Sequence, residues 1–217
     1  EMLQTAVASL GLFYPASATP FSVAGGVALD AEYRKYVTLR IVARMGTLVA
    51  MWEHIRNGYE PVDPRPDLNY SENFLYMLTR KEPDPLLARI FDVCLILHAE
   101  HTINASTFAV LVNGSTLASP YSVIASAIGT LSGPLHGGAN QKVIEMLREI
   151  EAPEYARAFV EKKIASREVI WGMGHREYKS KDPRAKILQG LLARFIASGN
   201  GDDELRCLFD IAQEVER

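Results

Sequence analysis

The sequence predicts an all-α fold. Strand signals are almost absent, apolar residues recur at three- and four-residue steps, and prolines, glycines and aspartates punctuate the intervals. The segment 34–57, RKYVTLRIVARMGTLVAMWEHIRN, sets Val37, Ile41, Ala43, Thr47, Leu48 and Met51 at such steps, and Gly58 follows as a stop. Its apolar content is high enough for much of its circumference to be buried. EPVDPRPDL at 60–68 carries three prolines and is extended or turned. Asn69 or Ser71 caps the short helix SENFLYML. Pro85, suited to a first turn, opens the helix DPLLARIFDVCLILHAEH at 84–101. A further helix runs from Ala105 towards Leu117, and Pro120 opens YSVIASAIGTL, whose small residues suit close packing. Beyond a glycine-rich loop come NQKVIEMLREI, PEYARAFVEKKIAS, DPRAKILQGLLARFIAS and DDELRCLFDIAQEVE. Each is amphipathic, and the last two begin with aspartates at or near the cap. ASGNGDD at 197–203 is a loop. No period of roughly 20–50 residues recurs, which argues against a repeat solenoid.

Composition narrows the function classes. Hydrophobic residues at 48% and charged residues at 23% are ordinary for a globular protein with a sizeable core. A formal charge of −3 supplies no general attraction for nucleic acid or acidic membranes. No apolar run approaches the roughly 20 residues that span a bilayer. Cys94 and Cys207 are too few for a disulfide framework, and Cys94 in FDVCLIL reads as a small buried hydrophobe. The expected compartment is the cytoplasm. No signal-like segment is present, and a chain that starts EMLQT is expected to have lost its natural N-terminus. Composition changes near 138: earlier helices are apolar on more than one side, later ones charged and amphipathic. A deeply packed region, 1–137, is therefore expected to join a smaller one, 138–217, at the glycine-rich loop.

Five histidines carry the chemistry or decorate the surface. His54, towards the end of a long helix, reads as a helix-end or surface residue. His98 and His101 in HAEH, at the end of a helix, stand three residues apart and thus on one face. The pair lacks the HExxH spacing and a third ligand nearby, so no metal is expected. His136 in GPLHGGAN and His175 in GMGHREYKSKDPR each have glycines within a few residues. Glycine lets another molecule come close to the backbone, so a histidine there is a stronger candidate for chemistry than one on a helix face. Either loop alone also fits an ordinary turn. The second collects Arg176, Lys179, Lys181, Arg184 and Lys186 against Glu177 and Asp182. That is a solvated basic surface or an anion site, in which Arg184 near a helix start grips a carboxylate through two parallel bonds.

The segments LILHAEHTINASTF, GPLHGGANQKVIEML and WGMGHREYKSKDPRAKIL resemble the three principal active-site segments of the citrate synthase family in its bacterial form. LNYSENFLYML and RNGYEPVDPRPDL extend the resemblance along essentially the whole chain. It implies an almost wholly helical fold, a large domain (1–137) and a small one (138–217), each incomplete. The implied reaction joins the methyl carbon of acetyl-CoA to the keto carbon of oxaloacetate and then hydrolyses the citryl thioester, without a cofactor. In that frame His136 hydrogen-bonds the thioester oxygen as the enolate forms, and Ser106 fixes its imidazole. His175 polarises the keto oxygen, His101 and Arg184 bind the carboxylates of oxaloacetate, and His98 supports them. Val169, Ile170, Gly172 and Gly174 belong to the backbone that receives the CoA adenine, and Lys179 meets its phosphates. His136 and His175 are thus expected to converge across a cleft.

The resemblance further implies a homodimer, with hexamers or larger assemblies in some relatives, and a longer chain. The segment with the catalytic aspartate and two further arginines lies, by resemblance, beyond the sequence. No aspartate here, Asp182 and Asp210 included, matches the base motif. Two rival expectations stand beside this one: a 2-methylcitrate synthase acting on propionyl-CoA, and a shortened homologue with a binding or assembly role.

Overall fold

Helix boundaries in this chain are written by its capping residues. The computed structural model describes residues 1–13, 31–174 and 178–217, without the side chains of 31–34. Every regular element among the described residues is helical, and none of those helices is long and apolar enough to cross a membrane. The chain divides into two compact units, Glu1–Gly133 and Pro134–Arg217. The division falls inside the glycine-rich loop, so His136 belongs to the second unit, whereas composition placed it at the end of the first.

The first unit holds α1 (Met2–Phe13), α2 (Ala31–Arg56), α3 (Tyr70–Thr79), α4 (Pro85–His98), α5 (Ala105–Gly114) and α6 (Pro120–Leu131). Asn69, not Ser71, caps α3. Its side chain accepts from the Glu72 N–H at 3.0 Å while the Glu72 carboxylate accepts from the Asn69 N–H at 2.9 Å, a reciprocal capping box. Asp84 accepts from the Leu87 N–H at 2.8 Å ahead of Pro85, and Asn104 accepts from the Thr107 N–H at 2.9 Å to start α5.

Other boundaries depart from the apolar pattern. α1 was not anticipated: MLQTAVASLGLF lacks a broad polar face, and only its packing, with Val7 fully buried, marks it. α4 stops at His98 rather than 101, because Ala99 N–H turns tightly onto the Ile96 carbonyl and Thr102 takes φ +57°. α5 stops at Gly114 rather than Leu117. The Ser115 and Thr116 hydroxyls donate to the carbonyls of Val112 and Asn113, both at 2.7 Å, competing with the helical pattern, and Leu117 is left-handed at φ +62°.

Helices α1 and α5 both pack on α6, α2 packs on α1 and α3, and α3 on α4. Val37, Ile41 and the fully buried Tyr121 form the core, closed by Leu10, Met45 and Ile124. Tyr70 reaches across α2 to donate its hydroxyl to the Val42 carbonyl at 2.9 Å. Gly46 permits that crossing, since a methyl there would lie 3.1 Å from the hydroxyl. His54, expected at the surface, is instead 5% exposed, and its Nε2 donates to the Met77 carbonyl at 2.6 Å. The imidazole ties the last turn of α2 to α3.

The second unit holds α7 (Ala139–Ile150), a 3₁₀ turn (Pro153–Tyr155), α8 (Ala156–Ala165), α9 (Pro183–Ala197) and α10 (Asp203–Val215). The expected single helix over 153–166 therefore begins as a 3₁₀ turn at Pro153. Helix α10 packs on α7, α8 and that turn. Its Ile211 is 1% exposed and sits in a core with Met146, Leu147, Ile150 and Ala156. Asp202 caps α10 by accepting from the Leu205 N–H at 2.8 Å. An Arg148–Glu204 pair at 2.8 Å spans α7 and α10 at the surface.

Candidate functional site

The predicted site residues fall into two groups, one in each unit. In the first unit His98, His101 and Ser106 gather at the α4–α5 corner. His98 ends α4, and its Nδ1 donates to the Cys94 carbonyl at 2.6 Å, which fixes the ring and leaves Nε2 as the lone-pair nitrogen of the neutral form. His101 is not on the same helix face, contrary to the spacing argument, because α4 has already ended. It stands, half-buried, in the turn that follows, where the Glu100 carboxylate accepts from the Thr102 N–H at 2.8 Å. Ser106 lies half-buried in the first turn of α5. Cys94, expected to be buried, is half-buried, and the partial loss of water pushes its thiol pKa up.

His136 stands half-buried in consecutive turns leading into α7. The sequence suggested a loop whose backbone another molecule can approach. The turns are instead tightly wound: the Ala139 N–H donates to the His136 carbonyl at 3.3 Å. Gly138 has ordinary helical dihedrals, φ −71° and ψ −14°. Its hydrogen is needed for space, since a Cβ there would lie 2.8 Å from Pro134 Cα and 3.0 Å from Pro134 O. Glycine here presses the chain together around the imidazole rather than loosening it. Leu135 beside it is 90% exposed.

The segment 169–174 divides its side chains between core and solvent. Ile170 and Trp171 pack on the unit's core, whereas Val169 and Met173 are exposed. The Met173 N–H returns to the Ile170 carbonyl at 3.2 Å, closing a turn whose third residue, Gly172, has φ +85°. That is a position where glycine is demanded. A Cβ on Gly172 would also lie 3.2 Å from Val143 Cγ2. Gly174 is left-handed too, at φ +77°, and among the described residues nothing lies within 4 Å of a Cβ placed there. An apolar cavity of about 290 Å³ is lined by Trp171, Gly172 and Met173 together with Val143, Leu192 and Phe209. We expect Gly172→Ala to strain this turn by about 1–2 kcal/mol. In the complete protein that should appear as a urea midpoint lowered by roughly 0.5–1 M. An unchanged midpoint would show that the turn accommodates a Cβ without strain.

His175, Arg176 and Glu177 lie outside the described residues. Beyond them the basic loop is less free than its composition suggested. Lys181 donates to Glu216 and Gln189, both at 2.5 Å. Arg184 is held by Asp182: Nη2 donates at 2.7 Å and Nε at 3.2 Å to each carboxylate oxygen. The carboxylate pushes the guanidinium pKa further up, so Arg184 is cationic at every working pH. Lys179 is exposed. The sequence reading overlooked Asp182 as the partner of Arg184. The signal lay in Asp-Pro-Arg itself, where proline at the first helical position turns the capping aspartate back over the arginine two residues on.

Comparison with known proteins adds an independent line. The family described as "Citrate synthase, C-terminal domain" matches residues 1–217. The chain is 56% identical over its whole length to 55% of a citrate synthase of Acidithiobacillus ferridurans, and 50% identical to 51% of one from Synechocystis. The chain thus spans about half the length of the curated relatives it matches. A crystal structure of citrate synthase from Pyrobaculum aerophilum superposes with a TM-score of 0.87 at 39% identity, covering 99% of this chain and 53% of that one. The ternary complex of the Thermoplasma acidophilum enzyme with carboxymethyl coenzyme A and oxaloacetate superposes at 0.80 and 29% identity, over 100% of this chain and 55% of that one. With its helical fold and its three histidine-bearing segments, the chain belongs to the citrate synthase family.

Proposed function

We propose that the complete protein is a citrate synthase: it condenses acetyl-CoA with oxaloacetate and hydrolyses the resulting citryl-CoA, with no cofactor, at the entry to the tricarboxylic acid cycle. The observation that carries the proposal is the similarity, over the full chain, to a relative solved with oxaloacetate and a CoA analogue. The chemistry needed is modest in kind and large in effect. A thioester α-proton leaves readily only if the enolate oxygen meets a preorganised donor as charge develops. His136 is that donor, supported by Ser106, and His175 activates the keto group. His101 and Arg184 hold the carboxylates, with His98 fixing the corner that carries His101. The turn at Val169, Ile170, Gly172 and Gly174 receives the adenine of CoA, and Lys179 meets its phosphates.

The first unit is the core of the large domain and the second that of the small domain, and exclusion of water from the bound substrates protects the enolate. The working form is a cytoplasmic homodimer, from which hexamers and larger assemblies can be built. The test is CoA release by the complete protein from acetyl-CoA and from propionyl-CoA, each with oxaloacetate. A higher kcat/KM with acetyl-CoA supports this assignment, and a higher one with propionyl-CoA replaces it by a 2-methylcitrate synthase. No turnover of either thioester refutes both.

A further inference from the structure

We propose that Asp182 is a positioning residue, which locks the Arg184 guanidinium in the rotamer that offers its outer edge to the dicarboxylate substrate. The inference rests on Arg184 being a carboxylate ligand, as read above. Asp182 makes two kinds of contact. Its Oδ1 accepts from the Arg184 backbone N–H at 2.8 Å, capping α9. The same carboxylate accepts from Nε at 3.2 Å and from Nη2 at 2.7 Å. Pro183 lies between the two residues at the first helical position and fixes the backbone that joins them.

A guanidinium carries five N–H donors in a rigid fork. Asp182 engages the Nε–H and one hydrogen of Nη2, on the inner edge. The donors it does not take, two on Nη1 and one on Nη2, include the parallel pair that matches a carboxylate. Two effects of Asp182 oppose each other. Its negative charge weakens the attraction of Arg184 for an anion, while its grip removes the rotamer freedom that an unheld arginine loses on binding. The side chains of Arg184 and Asp182 are only 26% and 20% exposed, so the grip is shielded from competing water. The ligand carboxylate would lie on the neighbouring edge, which meets the one held by Asp182 at Nη2, so the two carboxylates face different sides of the fork rather than each other. The holding effect dominates.

The cap and the grip can be separated. Asparagine and serine cap a helix about as well as aspartate, but neither supplies a charged acceptor for Nε and Nη2 together. In the complete protein, Asp182→Asn and Asp182→Ser should each raise the KM for oxaloacetate about three- to tenfold. The KM for acetyl-CoA and the Tm should stay at their wild-type values. Wild-type oxaloacetate KM in both variants would reduce Asp182 to a helix cap and overturn the proposal. Arg184→Lys, run in parallel, separates this failure from that of the reading beneath it. If Arg184→Lys raises the oxaloacetate KM and the Asp182 variants do not, only the positioning role is lost. If Arg184→Lys leaves that KM unchanged, the carboxylate-binding role of Arg184 falls, and this proposal with it.

Discussion

His136→Ala is expected to lower kcat of the complete protein by a factor of about 10²–10⁴ while leaving it folded. The size follows from the chemistry assigned to the ring. A single oxyanion donor is typically worth about 10²–10³ in rate, and of the two donor side chains in the GPLHGGAN segment, His136 and Asn140, the proposed function gives that role to the imidazole. Retention of the fold follows from how the turn is built. The bond that closes it runs from the Ala139 N–H to the His136 backbone carbonyl, which alanine supplies equally well. The tight contact described in this turn is between Gly138 and Pro134. Turnover should be measured as CoA release at saturating substrates, with circular dichroism and a urea titration on the same sample. Unchanged kcat would remove His136 from the chemistry. A collapsed urea transition would mean that the ring serves the fold.

Much of the fold was legible because local signals and tertiary packing agree. Asn69 with Glu72, Asp84 with Pro85, Asp182 with Pro183, and Asp202 place helix starts that the structure reproduces. Helix ends were harder to read. The His98 imidazole and the Ser115 and Thr116 hydroxyls capture backbone carbonyls, and residues such as Thr102 and Leu117 adopt left-handed dihedrals that their identity does not announce. α1 was missed because a helix without a polar face gives no periodic signal. His54 was misjudged for a related reason: periodicity reports which face of a helix is apolar, not whether a carbonyl from another helix waits at its end.

The site was legible as a set of residue types but not as a set of pairings. The motifs named the histidines and Arg184. They could not show that Asp182 occupies one edge of that arginine, or that Lys181 is drawn to Glu216, because such partners are chosen in three dimensions. The glycines in the two loops illustrate the same limit. Gly172 is required by a positive φ, Gly138 by contact with a proline, and the letter is identical in both cases.

Ile211→Ala is expected to destabilise the second unit by about 2–5 kcal/mol, whereas Ile211→Val costs only about 0.5–1.5 kcal/mol. Ile211 is 1% exposed and lies on α10, the helix against which α7, α8 and the 3₁₀ turn all pack. Truncating it leaves a void that these elements cannot fill independently, because each is tied to α10 elsewhere, α7 through the Arg148–Glu204 pair among other contacts. With an m-value of about 1–3 kcal/mol/M, a loss of that size moves the urea midpoint by roughly 1–3 M. The same core carries Ile170 and Trp171, which anchor the turn assigned to the CoA adenine. A loosened core should therefore raise the KM for acetyl-CoA before kcat changes, the reverse of the His136→Ala pattern. A midpoint identical to wild type would show that α10 is not the keystone of this unit. A fall in kcat with no change in stability would place Ile211 in the chemistry, where an aliphatic side chain has no role to perform.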